Sequence, residues 1–105
     1  MEININCDLG EKSKLHNNEN DPFLLGIVNS ANVACGYHAG DEETMDQVIK
    51  ISKENSVSIG AHPSFKDIEN FGRKRMNLSD TEIRKLIIDQ FEILQKIASN
   101  NNENV

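Results

Sequence analysis

Three short segments of this chain alternate polar with apolar residues, and a turn and then a helix-period segment follow each. Ile3, Ile5 and Cys7 alternate with Asn4, Asn6 and Asp8. Ala31, Val33 and Cys35 alternate with Ser30, Asn32 and Ala34, and Val57, Ile59 and Ala61 alternate with Ser58, Gly60 and His62. Such period-two patterns predict strands with two unlike faces, over residues 3–8, 30–35 and 57–61. Asp21-Pro22 predicts a short helix, with Asp21 as N-cap, Pro22 at the first helical position and Phe23, Leu24 and Ile27 buried. Asp41 fits the cap of a second helix carrying Met45, Val48 and Ile49. Ser79-Asp80-Thr81-Glu82 is a capping box, with Leu78 and Ile83 spaced as a hydrophobic staple. It opens a third helix whose core stripe is Ile83, Leu86, Ile87, Phe91, Leu94, Ile97 and Ala98.

The order β-α-β-α-β-α predicts an α/β fold with parallel strands and right-handed crossovers. A parallel strand covered on both faces reads as nearly continuous apolar residues. These strands keep a polar or small second face. Two architectures accommodate that face: a three-stranded sheet with one wet side, or the start of a (β/α) barrel whose polar residues line the lumen. Residues 1–105 are expected to form a single domain with a modest core.

Composition narrows the function. A formal net charge of −6 leaves no basic face for nucleic acid or an anionic membrane. The densest basic run, Arg73-Lys74-Arg75, reads as a solvated loop. No apolar run approaches the about 20 residues of a membrane span. Met1-Glu2 leads straight into the first strand pattern with no signal-peptide character, so a cytoplasmic location is expected. Two cysteines are too few for a disulfide framework and are expected as free thiols.

In α/β folds, sites form at the carboxyl ends of parallel strands. Asp8, His38 and His62 each fall at or just past such an end, so three separate segments would deliver them to one place. Cys7 and Cys35 fall on the apolar faces and read as packing. His16 reads as a solvated loop residue, and Tyr37 and Phe71 as loop packing.

Four stretches carry a resemblance: Asn6-Cys7-Asp8-Leu9-Gly10-Glu11, the twelve residues from Ser30 to Asp41 (SANVACGYHAGD), Gly60-Ala61-His62-Pro63 and Phe71-Gly72-Arg73. In order and spacing they resemble the LamB/YcsF family of 5-oxoprolinase A subunits. The resemblance implies a (β/α) barrel of the glycoside hydrolase/deacetylase type. It also implies ATP-dependent hydrolysis of 5-oxo-L-proline (pyroglutamate) to L-glutamate, with subunits B and C as partners and ATP with Mg2+ taken through the subunit complex.

Under that resemblance Asp8, His38 and His62 are the catalytic candidates. Asp8 would act as general base and the histidines as proton relays, since imidazole titrates near neutral pH. The same three residues could instead hold a divalent metal. Asn6, Glu11, Asn32, Asp41 and Arg73 are the substrate-binding candidates. Asn6 and Asn32 suit the lactam, and the fork of Arg73 suits a carboxylate or phosphate. Asp41 fits a helix cap equally well.

Lys12-Ser13-Lys14, Lys66 and Lys74 depart from the family pattern around the substrate-side loops. A complete barrel takes about 250 residues. The chain is therefore expected to hold the N-terminal part of a longer barrel, about three β/α units, either as a truncated product that is inactive alone or as a chain that folds only with help from a second copy. Two other readings stand beside this one: a stand-alone divalent-metal-dependent hydrolase or deacetylase, and a non-catalytic fragment that binds partner subunits.

Overall fold

The computed structural model describes residues 2–105. Its elements are β1 (Asn6–Leu9), α1 (Asp21–Leu25), β2 (Ser30–Ala34), α2 (Glu42–Glu54), β3 (Ser58–His62) and α3 (Asp80–Asn100). The strands form one parallel sheet in the order β1-β2-β3, with Asp8 opposite Asn32, Asn32 opposite Gly60 and Ala34 opposite His62. The expected α/β order with parallel strands is what the chain adopts. Within this chain the sheet is open, with β1 and β3 as its edges.

The alternation sorts the two faces. Leu9, Ala31, Val33, Cys35, Val57 and Ile59 are buried together with Met45, Val48 and Ile49 of α2 and Leu94 and Ala98 of α3. Leu94 is fully buried, a position where truncation leaves a cavity.

The first strand starts later than the alternation predicts. Ile3 and Ile5 are exposed (74% and 49%), not under a helix, because they precede the first paired residue, Asn6. The apolar phase of β1 runs instead through Cys7 to Leu9. Ile5 still holds the neighbouring chain: its carbonyl accepts from the amides of Asn29 and Ser30.

Two helix expectations are corrected. The N-cap of α1 is Asn20, and Asp21 is its first helical residue. The Asp21 carboxylate is buried and accepts a 2.8 Å hydrogen bond from the Gly10 amide, so it ties α1 to the end of β1. Burial pushes that carboxyl above the usual range, opposed by the Gly10 amide. Leu25 is the fully buried side chain of this single turn, while Phe23 and Ile27 are exposed. On α3 the buried line is Gln90, Leu94 and Ala98, and Ile87 and Phe91 lie largely outside it. A three-stranded sheet gives a 21-residue helix only a narrow surface to cover. Ser79 does cap α3, accepting from the Glu82 amide at 3.2 Å.

Candidate functional site

The carboxyl ends of the three strands bring four chemically active side chains together. Asp8 lies near the end of β1 and Glu11 two residues beyond it. His38 sits in the turn between β2 and α2, and His62 closes β3. His38 is buried, and its Nε2 lies 3.0 Å from Glu11 Oε2. Its ring centroid is 4.9 Å from that of His62. The His62 Nδ1 lies 3.6 Å from Asp8 Oδ1, beyond hydrogen-bond length. One ligand atom from each of Glu11, His38 and His62 falls within 4.8 Å of the others. Neither His38 Nδ1 nor His62 Nδ1 has a hydrogen-bond partner among the described residues, although both atoms are buried.

The backbone explains why His38 is held so closely. The Gly40 amide donates to the Lys12 carbonyl at 2.8 Å, stitching the β2–α2 turn to the segment that carries Glu11. Gly40 has φ +79, and a Cβ there would stand 2.5 Å from the Gly10 carbonyl oxygen, so the approach needs glycine. Asp41 then accepts from the Thr44 amide at 2.7 Å and starts α2. Those hydrogen bonds from Thr44 hold its carboxyl below the ordinary carboxylate range.

A second clamp comes from the segment after β3. The Asp67 amide donates to the Tyr37 carbonyl at 3.0 Å, and the Asp67 side chain accepts from the amides of Asn70 and Lys74. The Gly72 amide returns to the Asp67 carbonyl. This knot sets the Phe71 ring edge-on to His38, with centroids 5.0 Å apart. Gln90, fully buried in α3, accepts from the Ser64 amide and donates to the Ser64 carbonyl at 2.7 Å. It thereby fixes the peptide two residues after His62.

The other sequence candidates take distinct places. Asn32 donates through Nδ2 to Asn6 Oδ1 (2.9 Å) and to Asp8 Oδ1 (3.2 Å), forming a polar ladder on the open face of the sheet. Asp41 stands at the helix cap. Arg73 is exposed, with its guanidinium carbon 5.9 Å from the Phe71 ring centre, at the rim of the cluster. His16 is exposed and meets the other side of the loop, edge-on to Phe71 at 6.2 Å. A cleft of ≈ 530 Å³ opens beside the cluster, lined by Glu11, Ser13, Leu15, His16, Ile68 and Phe71 among others.

Cys35 is buried, its Sγ donates to the Val33 carbonyl, and burial pushes its thiol up to about 11. A thiol held protonated is a packing group, not a nucleophile. Burial raises the Cys7 thiol too, aided by Asp21 and Asp8.

Gln90 and Asp67 are positioning residues that sequence reasoning misses. Gln90 carries a signal, because it lies four residues before Leu94 on the helix line that must face the core. Asp67 carries none, being one of two acids in a polar loop.

An acid and histidine cluster at the carboxyl ends of a parallel sheet is the site plan of α/β enzymes. The chain belongs to the LamB/YcsF family, whose model matches residues 3–105. It is 45% identical over 94 residues to the 5-oxoprolinase A subunit of Staphylococcus epidermidis, covering 90% of this chain and 37% of that protein. It is 42% identical over 95 residues to the 5-oxoprolinase A subunit of Staphylococcus aureus, covering 90% of this chain and 38% of that one. It also superimposes on the lactam utilization protein of Thermus thermophilus with a TM-score of 0.92 and 30% identity, over 100% of this chain and 42% of that one. The chain thus spans less than half the length of these relatives. No helix among its described residues is long and apolar enough to cross a membrane.

Proposed function

We propose that this chain is the part of a 5-oxoprolinase A subunit that carries its acid and histidine cluster, as about the first three units of a (β/α) barrel. The reaction would be the ATP-dependent opening of 5-oxo-L-proline to L-glutamate, in the cytoplasm, with subunits B and C. The observation that carries this reading is the convergence of Asp8, Glu11, His38 and His62 at three strand ends in a chain with 5-oxoprolinase relatives.

A lactam is a resonance-stabilised amide, so its carbonyl carbon resists water. ATP, with Mg2+, supplies activation by phosphorylating the amide oxygen. Water then adds at that carbon, the C–N bond breaks as nitrogen takes a proton, and hydrolysis of the resulting acyl phosphate leaves glutamate and phosphate. Asp8, on the open face, is placed to take the proton of the attacking water, and His62 beside it to pass a proton on. Glu11 holds His38 in one orientation through their 3.0 Å contact. Asn6 and Asn32 offer amides to the ring, and Arg73 at the rim suits the substrate carboxylate.

Glutamate release from 5-oxo-L-proline, followed with and without ATP in the presence of B and C, tests this reading. Asp8→Asn in the full-length protein is expected to lower turnover by about 100-fold or more. Wild-type turnover in that variant removes Asp8 from the mechanism, and release without ATP removes the ATP-dependent lactam reading. The cluster of Glu11, His38 and His62 favours a second reading, a divalent-metal hydrolase acting alone, for which release or deacetylation would follow added metal and ignore ATP. Capture of B and C without any turnover would leave the chain as a partner-binding part.

A further inference from the structure

We propose that Glu11, His38 and His62 bind one first-row divalent cation, Zn2+ or Mn2+, and that Asp8 orients His62 from behind instead of ligating the ion. The inference deepens the reading above and rests on its placement of the site, not on the lactam substrate. One ligand atom from each of the three residues already lies within 4.8 Å of the others. The 3.0 Å between Glu11 Oε2 and His38 Nε2 matches two ligands sharing an ion at about 2.0–2.1 Å. His62 has the distance left to close. It is the most open of the three, its side chain 30% exposed against 13% for Glu11 and 2% for His38.

Asp8 differs from Glu11 in kind. Its Oδ1 accepts from Asn32 and faces the His62 Nδ1 at 3.6 Å. A carboxylate behind a histidine is the usual device for fixing the tautomer and aiming the other ring nitrogen at a metal. Toward the ion Asp8 therefore acts only by positioning His62, which leaves His62 Nε2 for the metal and does not alter the proton-accepting role proposed for Asp8 above. Two imidazoles and one carboxylate make a donor set that suits Zn2+ or Mn2+ better than Mg2+ or Ca2+, which take oxygen ligands. Three protein ligands also leave a coordination position for water or a substrate oxygen.

Calorimetric titration of the metal-free chain with Zn2+, Mn2+ and Mg2+ tests this directly, with Co2+ absorption as a second reading of the donor set. One equivalent of Zn2+ is expected, with Mg2+ at least about 100-fold weaker. Glu11→Gln and His62→Gln should each abolish stoichiometric Zn2+ binding. Asp8→Asn should weaken it by about 10–100-fold, the range for an orienting carboxylate. His16→Gln should leave it unchanged. Circular dichroism of each variant separates lost ligation from lost folding. Absence of a stoichiometric Zn2+ site, or binding that survives Glu11→Gln and vanishes in Asp8→Asn, overturns the proposal. Metal binding without ATP-dependent glutamate release would leave this inference standing and remove the lactam reading; release without a metal site would do the reverse.

Discussion

The two faces of the sheet do different work with the same three strands. Under α2 and α3, Leu9, Val33, Val57 and Ile59 close a dry core in which Leu94 and Ala98 leave no exposed surface. On the opposite face, Asn6, Asp8 and Asn32 make a hydrogen-bonded ladder open to solvent, and His62 follows at the strand end. The core face holds the chain together, so its residues act through stability. The polar face is wet, so its hydrogen bonds are expected to add little to stability.

Substitutions across the sheet should break that comparison if it is wrong. The largest stability effect is expected at Leu94→Ala, a loss of about 2–5 kcal/mol in urea unfolding. Asp41→Ala, at the junction of the two faces, should cost about 1 kcal/mol as a lost helix cap. That cost depends on pH with a definite sign. The folded Asp41 carboxyl lies below its ordinary value, so the wild-type advantage is full above the unfolded carboxylate range. It should disappear as pH falls through the depressed folded value, and unfolding curves of both proteins from neutral to strongly acidic pH check this. Asn32→Ala should be the mildest, about 1 kcal/mol or less, because its hydrogen bonds lie on a wet face. Its effect should appear in turnover instead. An Asn32→Ala loss matching that of Leu94→Ala would mean that the polar face is structural.

The two cysteines sharpen the same contrast on a finer scale. Cys35, buried with its thiol pushed up to about 11, should react with a maleimide far more slowly at neutral pH than the half-buried Cys7. Equal rates would show that the core opens readily near β2.

Much of this is legible in the residues themselves. Alternation assigns Asp8, Asn32 and His62 to one face, and capping chemistry places Ser79 and Asp41 at helix starts. The failures share a cause. Ile3 and Ile5 have the strand pattern, but their side chains stay exposed because no helix covers them, although the Ile5 backbone bonds to Asn29 and Ser30. Phe23, Ile27, Ile87 and Phe91 have helix-stripe character, yet burial depends on what lies opposite. Local pattern reports which face a side chain takes, not whether anything covers it.

The sequence by itself determined the order of elements, the parallel sheet and which strand ends carry acid and histidine, because period and capping are local properties. Tertiary structure alone decided that Glu11, not Asp8, meets His38, that Asp21 serves the Gly10 amide, and that Gln90 and Asp67 brace the loops around the histidines. The contacts from Glu11 to His38, Asp21 to Gly10, Gln90 to Ser64 and Asp67 to Tyr37 join residues at least 11 positions apart, and only strand register and loop closure bring them within hydrogen-bond reach.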